Sequence, residues 1–290
     1  MIVVKLKGGL GNQLFQYAMG RSLAKIHRTV LKMDISFFDT YELHEYSIGP
    51  FNIQENFASA KEIRELSFGN KGVLNRVVGR LLHKSKVYAP TYVKEKMFQF
   101  DHETLNLPDG VYLDGYWQSE KYFADIVGTI RQEFIVKTLP VGKDKELGES
   151  MASCESVNLH IRRGSYLNPP YNKVHGTCSL DYYFRCIEQI CKKVKNPHFF
   201  IFSDDPEWAR NNLKLSYLTT LVDHNGADKD YEDLRLMTQC KYHILANSTF
   251  SWWGAWMSQR AEKMVFAPRQ WFVKSGTNTE DLLPMGWKKM

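Results

Sequence analysis

The sequence predicts an α/β protein built from two Rossmann-like, doubly wound domains that face each other across a cleft, over residues 1–150 and 151–290. Three observations carry this expectation. A short apolar strand runs into a glycine loop and then a helical pattern at the start of the chain. Strand and helix patterns alternate twice more along the sequence, the signature of parallel sheets covered by helices. A polar stretch from Thr138 to Ser156, punctuated by Pro140, Gly142 and Gly148, separates the two series and reads as a linker.

In the first series, Ile2–Leu6 is the opening strand and Lys7-Gly8-Gly9-Leu10-Gly11 the loop, with Asn12 as a plausible helix N-cap. Phe15, Ala18, Met19, Ser22, Leu23 and Ile26 then fall at the spacing of one helical face. Val30–Asp34 closes a βαβ unit, and Val111–Phe123 holds a second strand-to-helix passage. In the second series Val157–Ile161 is a strand, followed by a helix after Ser179 and a strand over His198–Phe202. Leu218–Val222, a helix from about Tyr231, the strand Tyr242–Ala246, a short aromatic helix and Met264–Phe266 complete it.

Composition narrows the function classes. With 43% hydrophobic and 24% charged residues, the chain has the make-up of a soluble globular protein. A net charge of +6 suits phosphorylated small molecules and falls short of a nucleic-acid-binding signature. The five cysteines form no C-x-x-C pair, which points to reduced thiols in the cytoplasm. No basic leader and no apolar run long enough to span a bilayer is evident. Residues 71–86 carry five basic and no acidic side chains opposite an apolar face. That pattern fits either docking on the inner face of an anionic membrane or packing on its own domain.

The chemistry concentrates at strand ends. Arg162-Arg163 follows the strand Val157–Ile161, and ligands of open α/β sheets bind outside such carboxyl ends. Arginine's planar fork suits a phosphate, so the pair reads as an anion site. The glycine loop resembles a dinucleotide fingerprint, with Asp34 at the expected spacing, but Leu14 occupies the third glycine's place and argues against it. Asp204 and Asp205 end another strand, where they either accept bonds from a nucleotide or cap the following helix. Asp228-Lys229-Asp230 matches a metal-holding D-x-D pattern, and equally an ordinary acidic helix start. Asn247-Ser248-Thr249-Phe250-Ser251-Trp252-Trp253 opens a helix with hydroxyl and backbone donors suited to an anion, while its tryptophans suit packing.

Four elements in this order, Gly8–Gln13, His160–Gly164, Ser203–Asp205 and Asn247–Trp253, resemble those of the bacterial α-1,2-fucosyltransferases, inverting enzymes that use GDP-fucose. The resemblance spans the chain and includes Gly115–Glu120 and His175–Tyr183. It implies a GT-B type fold, an acceptor-side first domain, a GDP-fucose-binding second domain, and no cofactor or metal. It implies that Arg162 holds the pyrophosphate, with Arg163 and His160 beside it as catalytic candidates. Asn247, Ser248, Thr249 and Ser251 would surround the phosphates, Gly11 and Asn12 would approach fucose and pyrophosphate, and Asp233 and Asp204 would serve the nucleotide. The acceptor would be a galactose-terminated glycan. Asp34, Asp114 and Glu120 are the candidate bases. The family pattern His-x-Arg-Arg-x-Asp carries Ser165 here in place of the aspartate. That departure leaves a non-catalytic nucleotide-sugar or glycan binder as the rival reading, with a metal-dependent transferase using Asp228 and Asp230 as a second.

Overall fold

A computed structural model describes residues 1–41, 43–69, 88–273 and 276–290. The basic segment 71–86 lies outside the described residues. The chain divides into two compact units, Met1–Ile135 and Val136–Met290.

The first unit holds a parallel four-stranded sheet: β1 (Ile2–Lys5), β2 (Leu31–Asp34), β3 (Tyr92–Lys94) and β4 (Tyr112–Asp114), in the order β2-β1-β4-β3. Helix α1 (Leu10–Ile26) returns the chain from β1 to β2. Its Leu14, Phe15, Ala18, Met19 and Leu23 are fully buried, each side chain of the larger type contributing roughly 1.5–3 kcal/mol. The expected N-cap Asn12 lies inside α1 instead. Gly8 takes φ +76°, and extended Gly9 becomes the cap, so the helix begins at Leu10 and Asn12 N donates to Gly9 O at 2.9 Å. Helix α2 (Ala60–Phe68) starts with a reciprocal Ser59–Glu62 capping box. After β4 the expected helix is a 3₁₀ stretch over Glu120–Ile126 that leads into α3 (Val127–Glu133).

The second unit begins earlier than expected. The presumed linker contains α4 (Gly142–Ser153), and a division after residue 150 would cut that helix. Leu147, Met151 and Cys154 recur at helical spacing within the polar composition. Met151 is fully buried against a cluster with Phe200, Phe202, Val222, Leu236 and Met237. The segment therefore belongs with the second unit because its apolar stripe is buried there.

This unit's sheet comprises β5 (Ser156–Ile161), β6 (His198–Ser203), β7 (Leu218–Val222), β8 (Tyr242–Ile244), β9 (Met264–Ala267) and β10 (Lys288–Lys289). All pairings are parallel, in the order β10-β9-β8-β5-β6-β7. Helices α5 (Leu180–Cys191), α6 (Pro206–Asn212), α7 (Asp230–Gln239) and α8 (Thr249–Met257) alternate with the strands. Val157, Leu159 and Ile161 of β5 share a buried cluster with Tyr183, Cys186 and Ile190 of α5. The strand order reverses between β5 and β8, which makes their carboxyl ends the unit's topological switch point. No helix among the described residues is long and apolar enough to cross a membrane.

Candidate active site

The switch point of the second unit presents Arg162. Its side chain is 26% exposed and held from three directions. One terminal nitrogen pairs with Asp204 Oδ2 at 3.1 Å, the other donates to Ser165 Oγ at 3.0 Å, and the guanidinium lies 5.3 Å from the centre of the Tyr166 ring. Ser165 thus occupies an arginine-orienting position, sharing the task with Asp204. The Tyr166 hydroxyl donates to Asn247 O at 3.4 Å, and its ring stacks on His175 at 4.6 Å with a 10° interplanar angle. Neither Tyr166 nor His175 carried a role in the sequence reading. Their signal was position, four and thirteen residues past Arg162.

Arg163 points elsewhere. Its guanidinium sits 3.9 Å from the Trp208 ring and 3.4 Å from Asp205 Oδ2, so it braces α6. Its backbone N–H donates to Asp204 Oδ1 at 2.7 Å. Asp204 therefore ties the turn to Arg162, and Gly164 is required because a Cβ there would come within 2.5 Å of Asp204 Oδ2. Asp205 caps α6, accepting from Trp208 N at 3.1 Å. Of the two open readings of this acidic pair, Asp205 follows the cap and Asp204 joins the arginine site.

His160 lies in β5, 4% exposed, with its ring 5.6 Å from that of Phe250. Burial, reinforced by Arg162, pushes its pKa down to about 3, so the imidazole is neutral and supports the site's electrostatics without carrying charge. Asn247 is 2% exposed, and its amide donates to His175 O at 2.9 Å, Gly176 O at 3.3 Å and Trp271 O at 3.1 Å. It shapes the loops and has its side-chain donors already engaged. Ser251 is likewise turned inward, donating to Ala246 O at 3.1 Å. Ser248 caps α8 by accepting from Phe250 N at 3.3 Å, and half-buried Thr249 opens that helix, one strand over from Arg162. The helix dipole favours an anion there.

The first turn of α7 adds two carboxyls. Asp230 is raised to about 7 by burial and by Asp233, against the opposing pull of Arg162. Asp233 is raised to about 6 by burial, and accepts from Asn225 Nδ2 at 2.8 Å. Asn225 also donates to Asp144 Oδ1 at 2.9 Å, which receives His224 Nε2 at 2.8 Å. The D-x-D pair does not gather into a metal cradle: no three His, Cys, Asp or Glu side chains converge that way among the described residues. Asp228 instead folds back over Gly226.

The first unit has its own switch point, between β1 and β4. Gly11 is buried in the first turn of α1, and Asn12 Oδ1 accepts from Gln118 Nε2 at 2.9 Å. Asp114 meets Lys7 Nζ at 2.6 Å, Lys5 Nζ at 3.7 Å and the Tyr92 hydroxyl at 2.6 Å. Although burial opposes it, these contacts hold its pKa below the usual carboxylate range, which suits an ion-pair partner better than a proton acceptor. Asp34 is 2% exposed and accepts from Tyr112 Oη at 2.5 Å and Ser36 N at 2.9 Å. Glu120 opens the 3₁₀ stretch, half-buried. The structure also singles out Glu95, whose pKa is raised by burial against two backbone N–H bonds and Lys7. It stands just past β3, in a segment without a recognisable motif.

Comparison with known proteins accords with this architecture. The model of glycosyl transferase family 11 matches residues 1–289. An α-1,2-colitosyltransferase of Escherichia coli is 31% identical, over 100% of this chain and 99% of its own. A galactoside 2-α-L-fucosyltransferase of Caenorhabditis elegans is 25% identical, over 100% of this chain and 79% of its own. Among solved structures, the fucosyltransferase NodZ from Bradyrhizobium aligns with a TM-score of 0.54 at 15% identity, covering 88% of this chain and 91% of NodZ. The fold is accordingly GT-B type α/β with two parallel sheets, and the chain is a glycosyltransferase belonging to glycosyl transferase family 11.

Proposed function

We propose that the chain transfers L-fucose from GDP-fucose to the 2-hydroxyl of a terminal β-galactoside, with inversion at the anomeric carbon. The carrying observation is Arg162, a partly exposed guanidinium fixed at the switch point by Ser165 and Asp204. In this reading the second unit binds the donor and the first carries the acceptor. The acceptor oxygen attacks C1 of fucose as the C1–O bond to the pyrophosphate breaks. The bonding pair leaves with the phosphate oxygen, and the hydroxyl proton passes to a base or to water. Charge grows on the departing oxygen, and Arg162 and the start of α8 would stabilise it there. Such preorganised donors need little reorganisation as the bond breaks, and losing one costs roughly 3–4 kcal/mol, or 10²–10³ in rate.

GDP release from GDP-fucose, followed with and without a β-galactoside, tests this proposal. Arg162→Ala is expected to abolish acceptor-dependent release while the protein keeps its far-UV circular dichroism. Near-normal turnover in that variant refutes the assignment, and tight GDP binding without turnover in the unaltered protein favours a non-catalytic binder. Whole-chain identity to a colitosyltransferase favours a second donor sugar, so GDP-colitose belongs in the same assay. A preference for it retains the mechanism and changes the sugar.

A further inference from the structure

The second strand-end loop of the first unit is held in a conformation its own residues disfavour. Trp117 takes φ +56°, a left-handed backbone conformation that is uncommon for a bulky residue, and it is 1% exposed. Such a conformation persists where its surroundings over-determine it. The surroundings here are the Tyr122 ring, edge-on to Trp117 at 5.7 Å, and one carboxylate that takes the backbone N–H groups of the turn. Glu95 extends β3 alongside β4, donating its N–H to Asp114 O at 3.0 Å. Its two oxygens accept from Tyr116 N at 2.7 Å and Trp117 N at 3.0 Å. Gly115 completes the fit, since a Cβ there would meet Glu95 Cβ at 2.5 Å and the Trp117 ring at 2.7 Å.

The turn delivers Gln118. That side chain is 8% exposed and donates through Nε2 to Asn12 Oδ1 at 2.9 Å. From α1, Gln16 ties the same two loops together, accepting from Lys7 N at 2.9 Å and donating to Gly115 O at 3.2 Å. We propose that Glu95 is a positioning residue for Asn12, acting through the Gly115–Trp117 turn and the Gln118 amide. Rotation of the Asn12 amide is limited once its oxygen is engaged, which would fix the orientation in which it meets substrate. The proposal rests on the reading that Asn12 contacts substrate.

Glu95→Gln keeps the shape but replaces one acceptor oxygen by an NH₂ group facing a backbone N–H, which cannot accept from it. Gln118→Leu removes only the amide link and leaves the turn. Each is measured as kcat/KM for GDP-fucose, alone and combined with Asn12→Ala. The expected result is a loss of about tenfold for each single variant and a larger loss for Asn12→Ala. Each double variant should lie within about twofold of Asn12→Ala alone, because the upstream residues act through it. A general weakening of the fold would instead multiply the effects. Multiplied losses in the Gln118→Leu cycle overturn the proposal even where Glu95→Gln folds poorly. An unchanged Asn12→Ala also overturns it, and identifies the substrate-contact reading as the part that failed.

Discussion

Replacing Ser165 probes how Arg162 is held. Ser165 Oγ is 3.0 Å from one guanidinium nitrogen, while Asp204 is 3.1 Å from another. A hydrogen bond to a charged group is worth about 1.5–3 kcal/mol, and partial exposure of Arg162 places this one near 1 kcal/mol. Ser165→Ala should therefore lower kcat about fivefold, with KM for the acceptor unchanged. Ser165→Asp adds a carboxylate whose attraction to Arg162 is gross, about 4 kcal/mol at 4 Å with an effective dielectric of 20. Repulsion from Asp204 and desolvation oppose that gain, and the doubly paired guanidinium is less available to phosphate. The net change should stay within about tenfold. Initial rates of GDP release with saturating β-galactoside read both variants. A hundredfold gain in Ser165→Asp would show that the position needs a proton acceptor, and an unchanged Ser165→Ala would show that the contact is idle.

Three further expectations follow from the same geometry. Arg163→Lys removes the planar contact with Trp208 and should cost about 1–2 kcal/mol of stability, read by urea denaturation, with less than a tenfold effect on turnover. Met151→Ala should cost about 2–5 kcal/mol in the second unit, and a loss below 1 kcal/mol would contradict the packing of α4 there. Asp230 has a folded pKa of about 7, above its unfolded value near 4, so the folded state binds the extra proton. Its contribution is full below pH 4 and is lost as pH rises to 7. Asp230→Asn should accordingly gain up to about 4 kcal/mol over the unaltered protein at pH 8, the free energy of raising a pKa from near 4 to about 7, and nothing at pH 4, read as a higher melting temperature at pH 8 only.

The fold was legible where local pattern and global architecture agree. Short runs of apolar and β-branched residues marked β1, β5, β6 and β7, and Ser179 and Ser248 announced the helices they cap. The pattern misled where composition masked periodicity. In α4, partly buried Leu147 and buried Met151 share one stripe of a helix whose other faces are charged, so the segment resembled a linker. Asn12 looked like a cap because it is a good one, yet a glycine with positive φ two residues into the loop moved the helix start upstream.

The candidate site divides along the same line. Amino-acid type and place in the chain determined that Arg162 follows a central strand, that hydroxyls open α8, and that the whole set resembles a fucosyltransferase family. These properties are local, because strand ends and helix starts are set by neighbours in sequence. Only tertiary structure decided which side chain of a matched motif faces the site. Arg162 and Arg163 are adjacent and chemically identical, yet one meets Ser165 and Asp204 while the other stacks on Trp208. Consecutive residues leaving a strand point in opposite directions, and carboxylates 42 residues away, Asp204 for Arg162 and Asp205 for Arg163, select the role of each.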